Sequence, residues 1–241
     1  NYQISYTGTG SPKQVTVTGG AFTLTGLGAG TYSAFSITNN GCVGSANTSV
    51  TLNNPPTPTL VFSTSANPST CSGTNGSISF TTTNLPNATY TINYTGAGSP
   101  KQVTVTNNAF TLTGLAAGSY SAFSITNNAC TGSLNTSVSL SDPATPTLVF
   151  STSANPSTCS GTNGSISFTT NLPNGTYQLN YTGAGNPKQV TVTSGTFSLT
   201  GLAAGAYSAF SISNNGCTGS SSPTVTLAEP PTPTLMFSTS V

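Results

Sequence analysis

The sequence predicts an all-β protein made of tandem antiparallel β-sandwich domains of about seven strands each. Three observations predict it: a long internal repeat, apolar residues that alternate with Ser and Thr, and turn residues between the alternating runs. The stretch TPTLVFSTSANPSTCSGTNGSISFTT runs from Thr57 to Thr82 and again, letter for letter, from Thr145 to Thr170. Cys42 to Cys130 is 88 residues, and Cys130 to Cys217 is 87. The lost residue is a Thr, because TTTNLPN at 81–87 becomes TTNLPN at 169–174. The predicted units are a truncated repeat at 1–56, complete repeats at 57–144 and 145–231, and the first strand of a further repeat at 232–241. A period near 88 is too long for a solenoid coil or a propeller blade. It suits an independent sandwich of ~100 residues.

Within the 57–144 unit the strands follow in order. PTLVFSTS (58–65) comes first, then GSISFTTT (76–83), with Ile78 and Phe80 on one face. ATYTINYT (88–95) aligns Tyr90, Ile92 and Tyr94, and KQVTVT (101–106) aligns Val103 with Val105. NAFTLTGL (108–115) aligns Phe110 and Leu112; SYSAFSIT (119–126) aligns Phe123 and Ile125; NTSVSLS (135–141) aligns Val138 and Leu140. The alternate positions are mostly Thr and Ser, which suit a wetted sheet face without charge. Nine Tyr, eleven Phe and many β-branched residues at period two also exclude a disordered chain.

Only five residues carry charge: Lys13, Lys101, Lys188, Asp142 and Glu229. A net charge of +1 gives no electrostatic footprint for nucleic acid or an acidic membrane surface, and no apolar run is long enough to span a bilayer. No catalytic constellation is present. There is no His, no carboxylate pair, and no acid to tune the lysines, which open strands in PKQVTVT and are expected to face solvent. The Gly runs read as turns, since a phosphate cradle needs a following helix. The chain is therefore read as a non-enzyme with no cofactor. Calcium at the junctions needs several converging carboxylates, and each linker carries at most one.

LGAGTY (27–32), LAAGSY (115–120) and LAAGAY (202–207) place a Gly turn and then Tyr32, Tyr120 or Tyr207 at a strand start. This resembles the tyrosine corner of immunoglobulin-like and fibronectin-like sandwiches, in which the hydroxyl bonds to the backbone upstream. Ligand stacking is the functional alternative for these tyrosines. Cys71 precedes the second strand and Cys130 follows the sixth; Cys159 and Cys217 hold the same places in the next unit. One intradomain disulfide in each, Cys71–Cys130 and Cys159–Cys217, would contribute about 4 kcal/mol on the loop-entropy model and implies an oxidising, extracytoplasmic setting. A zinc site is excluded by the lack of His and of CxxC spacing. Cys42, the counterpart of Cys130, is left without a partner within the chain.

Between units lie NNPPTPTL (53–60), SDPATPTL (141–148) and AEPPTPTL (228–235), semi-rigid Pro-rich spacers that enter the next first strand directly. The partners expected are further repeats of the chain and other copies in a filament. The ragged ends read as a window on a longer array, with polymerisation by donor-strand exchange as the alternative. Eight N-x-S/T sequons and Tyr-rich faces leave open a glycan-binding array, or a chain that carries sugars itself. The T-x-T pairs recur only once per unit, too sparse for an ice-binding array.

Three motifs carry a further resemblance: CSGTNGSISF (71–80), GLAAGSY (114–120) and TNNAC (126–130). Their order is similar to the immunoglobulin-like β-sandwich repeats of giant surface adhesins of gliding Bacteroidetes-type bacteria (SprB-like repeats). The chain departs from that pattern in lacking an aspartate before the second Cys and a mid-domain Trp or Pro-Tyr cluster. The resemblance implies secretion to the cell surface and a structural role in adhesion, motility or filament formation. It implies no catalytic or binding residue.

Overall fold

A computed structural model of the chain describes residues 1–238. They form antiparallel sheets without a helix among the described residues. Residues 1–56 contribute β1 (Tyr2–Thr7), β2 (Lys13–Val15), β3 (Gly30–Asn39), β4 (Cys42–Ala46) and β5 (Val50–Leu52). The next unit contributes β6 (Thr59–Ala66), β7 (Gly76–Thr83), β8 (Ala88–Thr95), β9 (Lys101–Val105), β10 (Ala109–Leu115), β11 (Gly118–Asn127), β12 (Cys130–Leu134) and β13 (Val138–Leu140). The third repeats this pattern in β14 (Val149–Ala154), β15 (Gly164–Thr169), β16 (Gly175–Thr182), β17 (Lys188–Val192), β18 (Thr196–Leu202), β19 (Gly205–Asn214), β20 (Cys217–Ser221) and β21 (Val225–Leu227).

In the second unit, one sheet has the order β10-β7-β6 and the other β12-β11-β8-β9. β12 and β13 pair different lengths of β11: β13 pairs Gly118–Tyr120 and β12 pairs Phe123–Asn127. The register of β11 against β8 shifts between Ser121 and Ser124, where Ala122 takes a φ of 50° to 51° like Ala34 and Ala209. That bulge lets one ten-residue strand serve two partners along its length. The inward residues of the two sheets interlock. Phe80 stacks on Phe110 with ring centroids 5.1 Å apart and meets Phe123 edge-on at 4.9 Å. Phe168, Phe197 and Phe210 repeat the arrangement at 5.4 and 4.9 Å. Each of these two units has its own buried cluster, 60–140 and 148–227.

Two elements differ from the sequence reading. β12 is a strand that alternation did not reveal, because CTGSL lacks an apolar period; the turn before it has Asn128 at φ 47° and Ala129 at 62°, the conformation of a two-residue hairpin loop. Residues 232–238 form no strand, and 239–241 lie outside the described residues. Their counterpart β6 is a strand because it pairs with β7. Among the described residues no strand pairs with 232–238, and Leu235, Met236 and Phe237 are exposed.

The first unit makes the same point within the described residues. AFTLTGL occurs at 21–27 and at 109–115. At 109–115 it is β10, bonded to β7; at 21–27 it makes only one isolated bridge, Thr18 with Ala21. Phe22 is 43% exposed where Phe110 is 5% exposed, because the facing strand has no counterpart in residues 1–56.

Candidate functional site

Each unit carries the same corner at the start of its long strand. The hydroxyl of Tyr120 donates to the Ala116 carbonyl at 2.9 Å, Tyr32 to Gly28 at 2.8 Å, and Tyr207 to Ala203 at 3.0 Å. The rings are 1% exposed and lie on Gly96, Gly8 and Gly183, where an added Cβ would sit 2.6 Å from the ring. No ring face is open for a ligand to stack on. The hydroxyl bond pins the crossing between the sheets.

The lysines do not simply face solvent. Lys101 is half-buried and its Nζ donates to the carbonyls of Thr113 and Gly114 at 2.7 and 2.8 Å. Lys13 and Lys188 hold the equivalent pairs, Thr25 with Gly26 and Thr200 with Gly201. The end of one sheet strand turns at Gly114, with φ 71°, and its carbonyls point at the ammonium. The charge therefore ties β9 of one sheet to the end of β10 in the other. Neither motif offers a reactive group; both brace the sandwich.

The cysteines form a different bond from the intradomain pairs expected. Cys71 is joined to Cys217 of the following unit, across 146 residues, with Cα atoms 5.1 Å apart. Cys130 and Cys159, expected as partners of Cys71 and Cys217, are free thiols among the described residues, as is Cys42. Strand direction is the reason. β7 is antiparallel to β10, so Gly76 at its start pairs with Leu115, close to where β11 begins. Cys130 follows the far end of β11, a ten-residue strand about 30 Å long. Within one sandwich the two cysteines lie at opposite ends, far beyond disulfide reach. Between sandwiches the first cysteine of one meets the second of the next.

A set of bonds surrounds this junction. The Cys71 N–H donates to the Asn215 carbonyl at 2.8 Å. The Cys217 Sγ lies 3.3 Å from the Pro143 carbonyl of the linker. The linker is held at both ends by asparagines: Asn67 accepts from the Ser141 N–H at 3.0 Å, and Asn171 bonds Thr147 N–H at 2.8 Å and the Thr145 carbonyl at 3.1 Å. Linker, loop and hairpin turn thus form one cross-braced joint. At the other end of unit 145–231, away from this joint, Glu229 accepts from the Ser160 N–H at 2.9 Å and caps the loop that carries Cys159.

No family model matches the chain, and no curated protein sequence matches it. Among solved structures it is similar to the FN1–FN3 domains of chicken CNTN1, at 17% identity over 95% of this chain and 91% of that one, with a TM-score of 0.28. It is also similar to a tetra-tandem repeat from the extending region of a large adhesion protein, at 21% identity over 94% and 66%, with a TM-score of 0.30. The Ig1–Ig3 ectodomain of mouse nectin-like molecule 4 is 14% identical over 86% and 76%, with a TM-score of 0.30. These likenesses are distant, and the fold rests on the strand order of the molecule itself.

Proposed function

We propose that this chain is a structural stretch of an extracellular adhesion-type array, in which sandwiches are joined covalently into a stiff rod. The observation that supports this most is the junction. A disulfide, a linker bonded at both ends and a shared backbone hydrogen bond tie unit 57–144 to unit 145–231. Relative motion of tandem domains is the default where contacts between them are few, and a crosslink beside the linker removes most of it. A disulfide also fits an oxidising compartment. The braced corners and the absence of any reactive constellation in the sequence suit a load-bearing role, with each unit adding about 35–45 Å of length. The surface-adhesin resemblance of the repeat motifs supports a role for such a rod at a cell surface, in adhesion, motility or a filament.

Electron microscopy of the chain under oxidising conditions tests this reading. A row of beads with a narrow distribution of angles at the 57–231 junction is expected, and the distribution broadens on reduction. A compact globule, or angles unaffected by the redox state, refutes the reading.

A further inference from the structure

We propose that the end of unit 57–144 facing unit 1–56 is a socket for an Asn-Pro-Ser-Thr-Cys-Ser-Gly-Thr-Asn loop of another repeat unit, with Cys130 as the bonding partner. The occupied joint defines what such a socket needs. It consists of the Asn215 carbonyl, which accepts from Cys71 N–H, the Cys217 sulfur, and the Pro143 carbonyl beside it. The repeat puts Asn128, Cys130 and Pro55 in those three places. The Cys130 thiol donates to the Pro55 carbonyl at 3.3 Å, the same separation as between Cys217 and Pro143. Beside it lies a cavity of about 360 Å³ lined by Pro55, Pro56, Asn84, Leu85, Asn127 and Asn128. In the next unit, the equivalent turn packs so closely that a Cβ added at Gly216 would lie 3.6 Å from the backbone of Cys71.

The complementary part is also on the chain. Loop 155–163 has the same sequence as loop 67–75, and its Cys159 is exposed and unpaired. Both loops hold one shape from within. Gly73 N–H donates to Thr70 and Gly161 N–H to Thr158, each at 2.9 Å; Asn75 and Asn163 accept from Ser69 and Ser157 N–H at 2.9 Å. The bonded loop and the unbonded one share these turns, so the shape precedes the disulfide and little ordering is lost on docking. The rule that follows is directional: the first cysteine of one unit bonds the second cysteine of the next. Cys42 is the natural control. It has the Asn40–Gly41 turn, but residues 1–56 supply no counterpart of Pro55, Asn84 or Leu85.

The probe is the synthetic peptide Asn-Pro-Ser-Thr-Cys-Ser-Gly-Thr-Asn, its thiol carried as a mixed disulfide with thionitrobenzoate. The Cys130 thiolate, its proton lost to buffer, attacks the peptide sulfur. The new disulfide forms as the bond to thionitrobenzoate breaks, and the coloured thiolate leaves with the electron pair, so no other oxidant is consumed. Peptide mapping by mass spectrometry reads the rate at each cysteine of the full chain. Cys130 is expected to react about tenfold faster with this peptide than with a scrambled one of the same composition, while Cys42 and Cys159 show no preference. Equal rates at Cys130 for the two peptides, or the same preference at Cys42, overturns the proposal. The inference stands on the joint alone, so labelling can succeed even where no rod is seen.

Discussion

Pulling the chain by its ends distinguishes the observed disulfide from the one its cysteine order suggests. With Cys71 bonded to Cys217, force enters at the first cysteine, crosses the sulfurs and leaves at the second. The 146-residue segment between them carries no load. Only β1 to β6, which precede Cys71, and the chain after Cys217 can be peeled away. At about 3.5 Å per extended residue that segment holds roughly 500 Å of contour length, against a folded Cα separation of 5.1 Å. Single-molecule force spectroscopy under oxidising conditions should therefore stop about 500 Å short of full extension, and reduction or Cys71→Ser should restore that length. Intradomain pairing would instead hide two segments of about 200 Å each. Full extension of the oxidised chain, or recovery in two such increments, refutes the joint described above. The chain-entropy model puts the contribution of this crosslink to joint unfolding of the two units at about 5 kcal/mol.

Four further outcomes are expected. Tyr120→Phe removes the 2.9 Å bond to Ala116 and should lower stability by about 1–2 kcal/mol in urea titration. Gly132→Ala drives a Cβ into the Pro58 carbonyl and should cost about 1–3 kcal/mol, whereas Gly44→Ala, with only Ile37 at 3.5 Å, should leave the melting temperature unchanged. The Thr82 hydroxyl is buried without a hydrogen-bond partner, so Thr82→Val should stabilise by about 1 kcal/mol in the same titration. Burial, with neighbouring tyrosines adding to it, raises the phenols of Tyr6, Tyr94 and Tyr181 above 10.0. The folded chain keeps those protons longer than the unfolded one. Their contribution is complete below about pH 10 and is lost as pH rises through the raised values, so the urea midpoint should fall only on the alkaline side.

Much of each sandwich is legible from the residues. Ile78 with Phe80, Val103 with Val105 and Phe123 with Ile125 alternate inward, and all six are buried. The strand at 130–134 was not legible, because CTGSL has small polar residues and is held by the hairpin turn before it rather than by a buried face. The bonds of the lysines are not legible for a related reason. Their partners are backbone carbonyls, which leave no mark in the sequence. Strand direction alone excludes the intradomain cysteine pairs. Once the second and sixth strands are taken to run in the same direction, a residue before one and a residue after the other must lie at opposite ends. What nothing in the residue order indicates is that the next sandwich turns its hairpin onto that end.

The sequence by itself determined the repeat, the alternation that makes a sandwich and the Gly-then-Tyr corner, because these depend on neighbours within one unit. Tertiary structure decided the rest, and identical stretches show why. AFTLTGL is a strand at 109–115, where β7 offers a ladder, and not at 21–27, where none is offered. NPSTCSGTN holds a disulfide at 67–75 and a free thiol at 155–163. A strand needs the backbone groups of a second strand, and a crosslink needs a sulfur brought within reach. Both are supplied by residues far away in the chain, so the same letters give different structures according to what folds beside them.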